Sequence, residues 1–140
     1  MEPVRIGILG AARIVASALI KPAQQVAEVT VVGIAARDVA RAQMFAQKHH
    51  IPRVFASYTE LLADPEIDAV YIPLPNSLHE VWTLRALAAG KHVLCEKPFA
   101  SNAAEAERMA EAAQESGLVL MEAFHYRYHP LAARMKEIVT

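Results

Sequence analysis

The sequence predicts an α/β domain built on a doubly wound, mostly parallel sheet. Three observations carry this. Short runs rich in β-branched residues alternate with alanine-rich helical stretches along all 140 residues. Each run is apolar almost without interruption rather than at every second position, which marks strands covered on both faces. Gly10 follows the first run directly and a helical pattern follows the glycine, the strand–turn–helix order of an α/β unit.

The predicted strands are Val4–Leu9, Val29–Ala35, a shorter run at 53–56, then 69–73, 92–96 and 118–123. After the first strand, Pro22 lacks the N–H that a helix interior needs, so a helix over 14–20 with a separate turn beyond it is predicted. Val39–His49 carries apolar Ala42, Phe45 and Ala46 on one helical face. Helices over 77–89 and Ala103–Ser116 stop at Gly90 and Gly117, where a left-handed cap is wanted. Asp38, Asn76 and Asn102 stand at N-cap positions. About six strands joined by such crossovers give the strand order 3-2-1-4-5-6 of a Rossmann sheet. Leu131, Met135, Ile138 and Val139 form a last apolar helical stripe that runs to the final residue, Thr140. Two readings of it stay open: a helix packed on its own sheet, or the start of a helix leading into a second domain.

Composition narrows the function classes. Fourteen basic side chains against 15 acidic ones leave a net charge of −1, which supports neither nucleic-acid binding nor a membrane-surface role through bulk positive charge. A mean hydropathy of +0.20 is too apolar for a disordered chain. The single cysteine, Cys95, forbids an intramolecular disulfide and fits a reducing compartment. Glu2 spoils a basic leader, and no stretch approaches the ~18 uncharged apolar residues of a membrane span. A cytoplasmic location is expected, and no motif suggests a metal.

Four segments could carry chemistry, each at the predicted carboxyl edge of the sheet, where open α/β sheets bind ligands. Gly10, Ala11, Ala12, Arg13 and Ile14 occupy the place of a G-x-G-x-x-G dinucleotide turn. Only the first glycine is present, Ala12 and Val15 replacing the others, but a helix N-terminus there still offers N–H groups to a pyrophosphate. The plain alternative is an ordinary strand-to-helix turn. At the end of the second strand stand Ala36, Arg37 and Asp38. A small residue followed by arginine suits the 2′-phosphate of NADP rather than the free ribose of NAD. Asp38 reads as a helix cap in preference to a ribose ligand.

Pro73, Leu74, Pro75 and Asn76 make an extended loop after the fourth strand, with His79 one turn on as either a site residue or an inert surface histidine. Glu96, Lys97 and Pro98 close the fifth strand. A lysine there would lie beside a nicotinamide and could exchange a proton with a substrate oxygen, and the proline holds its backbone extended. Without that context Lys97 is a surface lysine.

These segments, together with the stretch 89–98 (Ala-Gly-Lys-His-Val-Leu-Cys-Glu-Lys-Pro) and Tyr126-Arg127-Tyr128-His129-Pro130, resemble the glucose–fructose oxidoreductase / inositol dehydrogenase (Gfo/Idh/MocA-type) family. The resemblance runs the length of the chain and is nearest to the NADP-dependent branch of dihydrodiol and D-xylose dehydrogenases. It implies an NAD(P)-binding Rossmann domain over 1–128, with 129–140 opening a helix toward a C-terminal α+β domain not contained in this sequence. That domain would hold a sugar or polyol and form a homo-oligomer. The implied reaction is reversible hydride transfer between a carbinol carbon and nicotinamide. Lys97 would be catalytic, its peptide to Pro98 often cis; Glu96 would meet the nicotinamide ribose, residues 73–76 would line the cofactor, and Arg127 would lie at its nicotinamide end. The other catalytic residues of the family belong to the C-terminal domain, so the isolated chain is expected to be inactive. A stand-alone, non-catalytic dinucleotide-binding module is the alternative.

Overall fold

The strands are β1 (Val4–Leu9), β2 (Val29–Ala35), β3 (Arg53–Phe55), β4 (Ala69–Ile72), β5 (His92–Cys95) and β6 (Leu120–Glu122). In a computed structural model describing residues 2–140 they form one sheet in the order β3-β2-β1-β4-β5-β6. Every neighbouring pair is parallel. The predicted class and strand order are both found. Four strands are shorter than predicted: Ala56, Pro73 and Glu96 lie beyond β3, β4 and β5, and β6 runs only from Leu120 to Glu122.

Uninterrupted apolar runs arise because consecutive side chains enter different cores. Ile8 and Leu9, Ile34 and Ala35, and Tyr71 and Ile72 each divide between two clusters on opposite faces. One cluster takes Val15, Leu19, Ala42 and Ala46 from the segments after β1 and β2. The other takes Leu61, Leu62, Leu87 and Met109 from helices α3 (Tyr58–Ala63), α4 (His79–Ala88) and α5 (Ala103–Ser116). Helical cover therefore changes face between β1 and β4, which puts a topological switch point at their carboxyl ends.

The chain after β1 departs from prediction. A π-helical turn, Ala16–Ile20, leads straight into α1 (Lys21–Ala23), so helical backbone continues through Pro22 instead of breaking before it. The Lys21 N–H reaches back five residues to the Ala16 carbonyl. This wider ladder opens the helix where a proline ring would otherwise clash with the carbonyl one α-turn back.

Helix ends are set by side chains. In α2 (Val39–His49) Asp38 accepts the N–H groups of Ala40 and Arg41, and Asn102 accepts that of Glu105 at α5. Asn76 does not cap: it opens a 3₁₀ turn, Asn76–Leu78, in which the Pro75 carbonyl accepts from Leu78 and no side chain takes part. The unpredicted α3 is capped by Ser57, which accepts from the Glu60 N–H, while the Glu60 carboxylate accepts from Ala56. In the last helix, α6 (Pro130–Val139), Leu131, Met135, Ile138 and Val139 are 61%, 59%, 69% and 81% exposed. The stripe therefore does not pack on its own sheet.

Candidate functional site

A cleft of about 500 Å³ opens at the switch point, between the carboxyl ends of β1, β2 and β4. Gly10 forms its floor at φ +118°, a backbone conformation that side chains oppose, and its N–H donates to the Ala35 carbonyl at 2.8 Å. A Cβ on Gly10 would lie 2.9 Å from Leu74 Cδ2, so the loops after β1 and β4 meet only because this residue is glycine. Ala11 and Ala12 continue the wall. Val15, in the place of a third fingerprint glycine, is fully buried and fills the space between helix and sheet with core.

The next wall comes from the end of β2 and the start of α2. Ala36, Arg37, Asp38 and Arg41 line the cleft. Asp38 Oδ1 accepts the Ala40 and Arg41 N–H groups of α2 at 2.9 and 3.3 Å. Arg41 reaches back to the Ala11 carbonyl at 2.9 Å, tying α2 to the Gly10 turn. Tyr58 completes this end, its ring set edge-on to Trp82. Burial pushes the Tyr58 hydroxyl up; the Arg37 backbone and the Arg37 and Arg41 charges pull the other way. This rim carries two guanidinium groups against one carboxylate that is already engaged through Oδ1, a donor set that fits an anionic phosphate group.

Pro73, Leu74, Pro75 and Leu78 form the opposite wall. His79 follows but does not line the cleft: it is fully buried, with Nδ1 2.8 Å from the Pro98 carbonyl oxygen and Nε2 2.7 Å from that of Leu74. Lys97 is exposed at the end of β5, joined to Pro98 by a cis peptide. Its turn is held on several sides. The Glu96 N–H donates to the Ile72 carbonyl, the Lys97 N–H donates to Glu96 Oε2 at 3.2 Å, and the Phe99 N–H donates to Glu122 Oε1 at 2.7 Å. Glu96 is itself buried, accepting the Tyr71 hydroxyl at 2.6 Å, with His125 Nε2 3.9 Å from the same oxygen. Burial and the Glu96 carboxylate push the Tyr71 phenol up, which keeps it a donor. Burial likewise pushes the Cys95 thiol up to about 12, so it stays protonated.

Of the residues singled out from sequence, Gly10, Ala11, Ala12, Ala36, Arg37, Pro73, Leu74 and Pro75 share the cleft. Arg13, Ile14 and Asn76 are exposed beyond its walls. Glu96 and Lys97 stand on the same sheet edge one strand further along, and Arg127 is exposed on the 3₁₀ turn His125–Tyr128. Arg41, Tyr58 and Leu78 line the cleft and were not foreseen. Arg41 had a signal, lying one helical turn after Arg37; Tyr58 had none, because it arrives through the β3–α3 connection. Among the described residues no group of three or more His, Cys, Asp or Glu side chains could hold a metal ion, and no helix is long and apolar enough to cross a membrane.

Residues 4–124 match the model of GFO_IDH_MocA, an oxidoreductase family with an NAD-binding Rossmann fold. The chain is 48% identical over 133 residues to D-xylose 1-dehydrogenase (NADP(+)) 2 of Haloferax volcanii, covering 95% of this chain and 41% of that protein. It is 44% identical over 109 residues to trans-1,2-dihydrobenzene-1,2-diol dehydrogenase of Macaca fuscata fuscata, covering 78% of this chain and 33% of that one. Among solved structures, a 3-ketoreductase from Actinomadura kijaniata in complex with TDP-benzene and NADP superposes with a TM-score of 0.90 at 38% identity, over 98% of this chain and 42% of the other. The sequence thus spans about two-fifths or less of the length of these relatives.

Proposed function

Because this chain belongs to the GFO_IDH_MocA oxidoreductase family, we propose that it is the NADP-binding domain of an enzyme that moves a hydride between nicotinamide and the carbinol carbon of a sugar or polyol. The observation that carries the cofactor choice is the rim of the cleft. Arg37 and Arg41 face it together while Asp38 is engaged in capping α2. A ribose 2′-phosphate finds two cations there, whereas a bare 2′-hydroxyl finds only Asp38, whose Oδ1 already accepts the two N–H groups that open α2. The NADP-dependent and NADP-bound relatives support the same choice.

When bound, the nicotinamide accepts or supplies the hydride. The chain's own residues do the rest. The Gly10–Ala11–Ala12 turn and the helix behind it present N–H groups to the pyrophosphate. Ala36 leaves room beside the ribose, and the apolar loop of Pro73, Leu74 and Pro75 excludes water from the opposite wall. The Lys97 ammonium holds the proton that passes to or from the substrate oxygen, while Glu96, fixed by Tyr71, orients the nicotinamide ribose. Arg127 stands toward the nicotinamide end. Residues 1–128 form the cofactor domain, and 129–140 begin a helix whose uncovered apolar face suits a substrate-binding, dimer-forming α+β domain. The location proposed is the cytoplasm.

Calorimetric titration with NADPH and NADH tests the reading. NADPH should bind in the micromolar range and NADH about tenfold or more weakly, the worth of one charge-assisted phosphate contact. Arg37→Ala should erase that difference by weakening NADPH alone. Failure of either nucleotide to bind below millimolar would overturn the assignment, and equal affinities in the parent chain would overturn only the role given to Arg37.

A further inference from the structure

Among the residues that line the cleft Tyr58 alone is aromatic, and it shares the rim with Arg37 and Arg41. A short connection delivers it there. β3 ends at Phe55, and the reciprocal cap of Ser57 and Glu60 starts α3 at residue 58. The ring packs against the core beneath it and stands edge-on to Trp82, with centroids 4.8 Å apart and planes at 81°. Trp82 is held in turn by Arg85, whose guanidinium carbon lies 4.8 Å from the centre of the indole. Edge-to-face and cation–π contacts of this kind fix a ring's orientation as well as its depth. With the ring fixed, only rotation about the C–O bond is left to aim the hydroxyl hydrogen.

The hydroxyl end of the ring meets donors and cations. The Arg37 backbone donates to the phenol oxygen, and the charges of Arg37 and Arg41 act on it from the same side; burial keeps its hydrogen in place. None of these groups can take that hydrogen, since a guanidinium has no acceptor and the backbone N–H only donates. The carboxylates of the adjoining segments are turned to their own helix starts: Asp38 Oδ1 accepts from Ala40 and Arg41, and Glu60 accepts from Ala56. The oxygen is therefore met by protein while the hydrogen is offered to the cleft.

A phenol hydrogen beside two guanidinium groups suits one kind of ligand group. A terminal phosphate carries up to two negative charges and three acceptor oxygens, enough to engage all of them. An adenine edge could accept the phenol hydrogen, but it gives the two cations no charge to meet. Resting on the NADP reading given above, we propose that Tyr58 is a specificity-determining residue: its hydroxyl donates to the ribose 2′-phosphate beside Arg37 and Arg41. The pocket that tells NADP from NAD is thus completed from the β3–α3 connection and braced from behind by Trp82.

NADPH and NADH differ only by that phosphate, so the ratio of their affinities isolates the contact. In Tyr58→Phe of the 140-residue chain, calorimetry should find the ratio lowered about fivefold, the net contribution of one hydrogen bond, with NADH within about twofold of the parent. A ring displaced by the substitution weakens both nucleotides alike and leaves the ratio as it was; an unchanged ratio, from that cause or any other, overturns the proposal. A second measurement needs no variant. With ¹³C at tyrosine Cζ, the Tyr58 resonance of the parent chain should shift on saturation with NADPH and stay near its free position with NADH. Equal shifts would put the hydroxyl on the part common to both nucleotides and overturn the proposal. Should the parent chain bind NADPH and NADH equally, the NADP reading fails and takes the role of Tyr58 with it. A parent that prefers NADPH, beside a Tyr58→Phe chain that keeps the full preference, removes Tyr58 alone.

Discussion

At the amino-terminal edge of the sheet, Arg5 forks onto the Asp68 carboxylate at 2.9 and 2.7 Å and reaches Glu66, while Arg53 pairs with Asp64. Lys91, nearly buried, donates to the carbonyls of Asp64 and Ile67. At the carboxyl edge, Arg37 and Arg41 face a cleft, and the carboxylate beside them is committed to a helix cap. One edge matches its cations with acids and carbonyls. The other ties Arg41 to the Ala11 carbonyl but pairs neither guanidinium with an acid, and sets glycine and proline around the cleft. The difference separates groups that support the fold from groups that await a ligand, although both edges end the same strands.

The largest way to break this contrast is Gly10→Val. The φ of +118° is nearly closed to a branched residue, and its Cβ would press on Leu74. Strain of this kind costs about 1–3 kcal/mol. Urea unfolding should register that loss, and calorimetry should find NADPH binding weakened about 100-fold as the two cleft loops separate. Affinity within about threefold of the parent would show that the turn is not the floor of the site.

Asp68→Asn tests the opposite edge and should sharpen the contrast. The Arg5 guanidinium holds the Asp68 carboxyl down at about 2, below the ~3.9 of an unfolded chain. A depressed acid contributes stability that is fully present above the unfolded value and is lost as pH falls through the folded one. The parent and the variant should therefore differ most above about pH 4 and converge toward pH 2. The gap should be about 1 kcal/mol, the ceiling for a pair that solvent partly screens. Urea midpoints across that range measure it. NADPH affinity should stay within about twofold, and a tenfold change would mean that the edges are not independent.

The fold was legible because each strand states its burial locally: an unbroken apolar run has no exposed face to signal, and Ile8 and Leu9 need no knowledge of β4 to be read as buried. Caps were legible where one residue does the work, as at Asp38 and Asn102. They were misread at Asn76, where the Pro75 carbonyl closes a 3₁₀ turn, and overlooked at Ser57-x-x-Glu60, whose six-residue helix is too short to show a period. Pro22 misled for a different reason: a π turn gave its ring room, and nothing in Ala16–Ile20 announces one. In the site, the segments at Gly10, Arg37 and Pro73 each follow a strand, so topology alone gathers them. Tyr58 and the inward turn of His79 depend on how connections cross the sheet edge, which no local pattern carries.

The smallest expected effect concerns Thr83, on α4 below the carboxyl edge. Its hydroxyl is buried with no hydrogen-bond partner among the described residues, and its neighbour is the protonated Cys95 thiol. A buried hydroxyl left unpaired costs about 1–3 kcal/mol, whereas a methyl of the same shape costs nothing to desolvate. Thr83→Val should accordingly raise the urea midpoint slightly, by up to about 1 kcal/mol of stability, with NADPH affinity unchanged. A loss of stability would instead mean that the hydroxyl is bonded to the Cys95 sulfur. The side chains beneath the cleft would then be as completely matched as the ion pairs around Arg5, and the contrast between the two edges would shrink to the cleft wall itself.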